Sequence, residues 1–140
     1  LRTAFRAARE RGLGEHVARR ILPPAFLDAR SAGRTYARAR REGIAFEERL
    51  DENFSTVDAL VMPTLRDGVP AVGETTTRAD FLPIIGNTAP FNIAGTPAVT
   101  LPVAERSGVP VSAQVVAPRF EDGVALRVAR ALERVATSTA

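Results

Sequence analysis

"NTAPFNIAGTPAVTLP", residues 87–102, decides how this chain is read. It sets two Asn, three Thr, three Pro and one Gly among Phe, Ile, Val and Leu. Gly95, followed by Pro97, is a helix-stop signature. Glycine takes the left-handed conformation without a Cβ penalty, and proline cannot continue the helix. Upstream, Asp80 can cap a helix that begins at Phe81. A helix from Phe81 to the Gly95 stop is therefore expected. It should kink where Pro90 removes the hydrogen bond to the carbonyl near Gly86. Downstream, "AVTLPV" (98–103) and "VSAQVVA" (111–117) are β-branched runs separated by the turn-rich "AERSGVP" and read as two strands.

Working outward, "DALVMPT" (58–64) is a short apolar run stopped by Pro63, which reads as a buried strand. Residues 65–79 are loop by composition. Between 27 and 57, Tyr36, Ala39, Gly43, Phe46, Leu50 and Phe54 step by three or four, the single stripe of a long helix. In 121–135, Ala125, Val128, Ala129, Leu132 and Val135 share one helical face, and the final "ATSTA" reads as a frayed tail. Residues 1–11 also read as helix, with Leu1, Ala4, Phe5 and Ala8 on one side, and "GLGEHVARRIL" as another, ended by Pro23 and Pro24. The first helical pattern has no N-cap and is already running at residue 1, so the chain is expected to be cut from something longer. The element order is that of an α/β fold with a sheet covered by helices.

The 140 residues amount to about one domain, and a 45% hydrophobic fraction is enough for a core. There is no Cys, which excludes disulfides and thiolate metal sites and fits a reducing cytosol. No apolar run is long enough for a membrane span, so no membrane association is expected. All 19 basic residues are Arg, with no Lys anywhere. Residues 1–50 carry 12 Arg against 6 acids, and residues 51–140 carry 7 Arg against 10 acids, or +6 and −3 within the total of +3. A basic first third favours an anionic partner, but acids are interspersed as on a solvated helix, and nucleic acid is not expected as a partner.

Common catalytic constellations are missing. The one His, His16, lies on an Arg-rich helix and has no Cys or second His to work with, so a Ser–His–Asp triad has no base. No His/Asp/Glu cluster has metal-ligand spacing, and no glycine-rich loop binds a phosphate or dinucleotide, so neither metal nor cofactor is expected. Glu47, Glu48, Asp51 and Glu52 fall between the stripe positions, as solvated residues do.

Four ordered motifs carry a resemblance. Asp58, Leu60, Pro63 and Thr64 form a D-x-L-x-x-P-T strand end. Thr88, Pro90, Phe91, Asn92, Gly95, Pro97, Ala98 and Pro102 form a T-x-P-F-N-x-x-G-x-P-A-x-x-x-P cassette. Gly108, Pro110 and Gln114 match G-x-P-x-x-x-Q, and a final helix follows. Upstream, Arg9, Gly12, Gly14, Val17, Arg20 and Ile21 match R-x-x-G-x-G-x-x-V-x-x-R-I. Together these resemble the C-terminal third of the amidase signature family over nearly the whole chain. The resemblance implies a C-terminal part of that family's α/β/α sandwich, with a mixed sheet covered by helices. Residues 1–140 would be one segment of a single amidase-like domain whose catalytic N-terminal portion is absent.

The family hydrolyses carboxylic amides with a Ser–cis-Ser–Lys triad and a Gly-rich oxyanion loop. This chain has no Lys, no Gly-Gly-Ser-Ser stretch and no adjacent serines, so no catalytic residue is expected in it. By the resemblance Ile85, Thr88 and Phe91, three apart on one helical face, would line the acyl pocket of a small-molecule amide. Each fits a core position as well. Asn92 and Gly95 would fix the turn, and Gln114 would tie its strand to a loop. The glutamine-binding member of the tRNA-dependent amidotransferase holds glutamine with an Arg, matched by Arg9, and an Asp three residues before the cassette Thr. That position is Ile85, which cannot pair an ammonium, and this favours a general amidase. The alternatives are that glutamyl/aspartyl amidotransferase component itself and a non-catalytic α/β binding module with a basic helical face. A fragment should also expose apolar surface and self-associate, as in a homodimer.

Overall fold

A computed structural model describes residues 29–71, 73–74 and 78–139. The helices expected within residues 1–24, with His16 and Arg9, lie outside them. Contacts divide the chain into two units, Leu1–Glu42 and Gly43–Ala140.

Helix α1 spans Ala29–Phe54, close to the 27–57 expected from its periodicity. Ala, Arg, Glu and Leu dominate it, all strong helix formers. Its stripe is buried only in part. Gly43 and Leu50 are buried and Phe46 and Phe54 half-buried, but Tyr36 is 71% exposed and Ala39 is exposed too. No glycine ends the helix. Ser55 and Thr56 do so instead, their hydroxyls donating to the carbonyls of Glu52 at 2.6 Å and Asn53 at 2.9 Å.

The sheet has three strands in the order β1–β3–β2: β1 is Leu60–Pro63, β2 Ala98–Arg106 and β3 Val109–Val116. Both pairings are antiparallel, with Leu60 and Ala98 flanking Val116 and Met62 and Thr100 flanking Gln114. The described strands thus contain no parallel pair of the kind a mixed sheet needs. A two-residue turn forces this for β2 and β3. Arg106 pairs with Val109 across Ser107 and Gly108, whose φ values are +53° and +78°. Two consecutive positive φ values make the hairpin turn whose twist suits the flanking strands.

Both outer strands carry a proline that faces away from β3. Thr64 N–H donates to Ser112 O at 2.9 Å, so the nitrogen of the preceding residue, Pro63, points outward. Ala117 N–H donates to Pro97 O at 3.2 Å. Alternation then turns Val99 and Leu101 toward β3 and Pro102 outward. The β2–β3 register shifts by one residue between Pro102 and Ala104.

Helices cover both faces of the sheet, as the α/β reading expects. On one face Leu50, Phe91, Ala94 and Val116 form a buried cluster joined by Phe46, Phe54, Leu60 and Met62. On the other, Leu101, Val115 and Ala129 pack with Val99, Val103, Val128 and Leu132. The second layer comes from α4, Asp122–Thr139, which runs through residues 136–139 where a frayed tail was expected. Central strand β3 is buried without alternation from Gln114 to Val116, the mark of a strand covered on both sides, and Ala117 just after it is buried too. No helix among the described residues is long and apolar enough to cross a membrane.

Candidate functional site

The segment that should carry the site is two helices, not one. Helix α2 is Arg78–Ile85 and α3 is Ala89–Ala94. Asp80 lies in the first turn of α2 rather than before it. Gly86, Asn87 and Thr88 form the turn between them, with Gly86 N–H donating to Pro83 O at 3.4 Å and Thr88 N–H to Ile85 O at 3.0 Å. The expected kink at Pro90 is thus a break. A proline in the first turn of a helix loses no hydrogen bond, because that N–H has no helical partner anyway. Starting α3 at Ala89 removes the conflict that a single helix would carry.

The break changes the geometry of the three expected pocket residues. Ile85 closes α2, Thr88 is the N-cap of α3 and Phe91 lies inside α3, so they do not share one continuous helical face. Ile85 is 40% exposed. Thr88 is half-buried, its Oγ1 donating to Ile85 O at 3.3 Å. Phe91 is buried at 7% exposure, edge-on to Phe46 with ring centroids 6.3 Å apart. The structure brings Ile85 and Thr88 together at the turn and sends Phe91 into the core.

A chain of polar contacts holds this turn. Gln114, 1% exposed in the central strand, donates from Nε2 to the main-chain oxygen of Asn87 at 2.6 Å. Asn87 donates from Nδ2 to Pro63 O at 2.9 Å. So β3 holds the turn and the turn holds β1, the strand-to-loop tie expected of Gln114. Sequence reasoning gives Asn87 no role; a Gly-Asn pair is its only signal there. Beside this chain of contacts, the buried hydroxyl of Thr64 has no hydrogen-bond partner among the described residues.

The far end of α3 is fixed as its glycine predicts. Gly95 is left-handed at φ +65°, and its N–H and that of Thr96 both donate to Phe91 O. Asn92 is exposed on α3. Arg119 donates to Ala94 O at 2.6 Å and pairs with Glu47 at 3.2 Å, joining the C-terminal end of α3 to α1. A positive group at a helix C-terminus is electrostatically favourable. Sequence reasoning missed Arg119, since its partners lie 25 and 72 positions away.

No three His, Cys, Asp or Glu side chains among the described residues could hold a metal ion. One open groove of about 360 Å³ lies between β2 and α4, lined by Val99, Leu101, Leu126, Ala129, Arg130 and Glu133 among others; it includes none of Ile85, Thr88 and Phe91.

Comparison with known proteins agrees with this fold. The amidase family model matches residues 1–126. The A-subunit of glutamyl-tRNA(Gln) amidotransferase from Natronomonas pharaonis is 36% identical over 133 residues, which cover 92% of this chain and 31% of that protein. Its counterpart in Halobacterium salinarum is 33% identical over 132 residues, 93% of this chain and 31% of that protein. The solved structure of the same amidotransferase component from Thermotoga maritima matches with a TM-score of 0.73 and 31% identity, over 91% of this chain and 29% of that one. A bacterial aryl acylamidase of the amidase signature family, at 17% identity and a TM-score of 0.68 over 94% of this chain and 30% of that one, shares the fold alone. The chain therefore spans about three tenths of the length of these relatives. By family-model match, relatives and fold, this chain belongs to the amidase signature family.

Proposed function

We propose that the chain is the C-terminal segment of an amidase that hydrolyses small carboxylic amides, supplying scaffold and one wall of the acyl pocket. The observation that carries this reading is the amidase family match over residues 1–126, in a chain that has no lysine among its 140 residues. A Ser–cis-Ser–Lys mechanism then needs groups from elsewhere in the protein. In this reading Ile85 and Thr88 line the pocket at the turn, with Phe91 behind them as support. Ile85, partly exposed, offers an apolar surface that suits an apolar acyl group better than the ammonium of glutamine. Self-association belongs to the same reading, because Phe120 at 88% exposure, Ile93 and Leu126 stand in solvent. Light scattering of the purified chain at high concentration should show more than monomer, and a clean monomer refutes that part.

A second reading, the A-subunit of a tRNA-dependent amidotransferase, is favoured by the names of the curated relatives. One experiment separates the two. The chain is joined behind the N-terminal two thirds of an amidase signature enzyme, and ammonia release is measured from benzamide and from glutamine. Hydrolysis of benzamide with little from glutamine supports the amidase. Glutamine alone as substrate supports the amidotransferase and refutes the first reading. The 140 residues alone should release no ammonia from either.

A further inference from the structure

The arginine face of α1 plays no part in the proposed amidase reading. Ala29–Glu42 carries five Arg and one Glu, a net charge of +4 in fourteen residues. Every residue from Gly33 to Glu42 is exposed. Arg34, Arg38 and Arg41 line an open groove of about 370 Å³ along the helix, together with Thr35 and Ala37. Arg38 makes an exposed pair with Glu42 at 3.6 Å. Arg34 and Arg41 have no acidic partner among the described residues. Like charges three and four positions apart on a helix repel one another. A helix that is polar all round normally relies on many opposite-charge pairs, and this row has one that the geometry resolves. An anion spanning the row would turn repulsion into attraction.

We propose that the Arg34–Arg38–Arg41 face is a docking surface for the phosphodiester backbone of a single-stranded nucleic acid. Arg34 to Arg41 covers seven residues, roughly 10.5 Å along the helix axis. Arg34, Arg38 and Arg41 stand roughly 6 and 4.5 Å apart along that axis, so a flexible single strand laid on the row can set one phosphate beside each guanidinium. Each guanidinium can meet phosphate oxygens through two parallel N–H donors. The sequence alone assigns these arginines to solvent because acids are interspersed; among the described residues only Glu42 answers this row.

The test uses the full chain and two labelled twelve-nucleotide probes, oligo(U) and oligo(dT), with binding followed by fluorescence anisotropy across salt concentration. Releasing counterions from three phosphates gives a log–log salt slope of about −2 for a single strand. The variant R34A/R38A/R41A should therefore lose about 2 from the wild-type slope. At 50 mM salt it should bind at least tenfold more weakly, with helix content unchanged by circular dichroism, since Ala is the best helix former. A control, R106A/R127A/R134A, removes the same charge from the other unit and should leave the slope unchanged. Stronger binding of oligo(U) than oligo(dT) identifies RNA as the source, the reverse identifies DNA, and both results support the proposal. Absent binding, equal losses in both triple variants, or displacement of the probes by poly-glutamate of equal charge overturns it. The last outcome would assign the face to an acidic protein segment.

Discussion

Replacing Gln114 with Met keeps the side chain's length and removes its donor to Asn87. The Gln114–Asn87 bond measures 2.6 Å in a part-buried setting, and such a bond contributes about 1 kcal/mol net. Losing it also leaves the Asn87 carbonyl without that donor, which costs about 1 kcal/mol more, the low end of the range because Asn87 is only half-buried. The expected loss is about 2 kcal/mol. In a unit of roughly a hundred residues that lowers Tm by about 10 °C. Urea denaturation followed by circular dichroism measures it directly. Gln114→Glu sharpens the test, because an ionised carboxylate cannot donate to Asn87. Burial disfavours the charged form, so the introduced carboxyl has a higher pKa folded than unfolded. The folded state then holds the extra proton more tightly. This variant should be closest to wild type below the unfolded carboxyl pKa and lose stability as pH rises through the folded one. A loss under 0.5 kcal/mol for Gln114→Met (about a quarter of the expected effect), or a Gln114→Glu penalty independent of pH, would show that the contact does not hold the turn.

Three further outcomes are expected. Gly43→Ala should stabilise by about 0.5–1 kcal/mol in urea denaturation, because the added Cβ would meet Ile93 Cγ2 at an ordinary 3.4 Å within a helix that glycine weakens. Ser107→Asn should stabilise by roughly 0.5 kcal/mol in thermal melts, since Asn tolerates the left-handed first position of this hairpin turn better than Ser. Phe91→Ala should cost about 3–4 kcal/mol in the same denaturation, because Phe91 is buried against Leu50, Val116 and Phe46; a cost under 1 kcal/mol would place its ring outside the core.

Much of the fold was legible where one residue type has one physical solution. Gly95 before Pro97 ends α3 as expected, and β-branched runs around Ser107–Gly108 make the hairpin. The stripe of α1 was legible as a period, yet a period does not say how far along the helix a partner extends, and Tyr36 and Ala39 are exposed. The break at Gly86–Thr88 was hidden because Pro90 suits both a kinked interior and a first turn. That ambiguity passed directly to the candidate site. The common face of Ile85, Thr88 and Phe91 presupposed an unbroken helix, and the structure divides it. Gln114 was legible as a tie only through the resemblance that its G-x-P-x-x-x-Q motif carries; its burial on the central strand, which explains why the amide needs a partner, came with the structure. Arg119 was not, because the carbonyl it meets exists only once α3 has ended at Gly95.

The outward prolines of the two flanking strands bear on how this chain behaves when crowded. Fibril growth needs an uninterrupted row of main-chain donors along a sheet's flank, renewed by every arriving copy. At Pro63 on one side and Pro102 on the other, that row has a gap. A foreign strand laid along either margin could zip only part of the way before meeting a ring in place of a donor. Assemblies that this sheet does join should therefore be of finite size, set by side-chain surfaces rather than by endless backbone pairing.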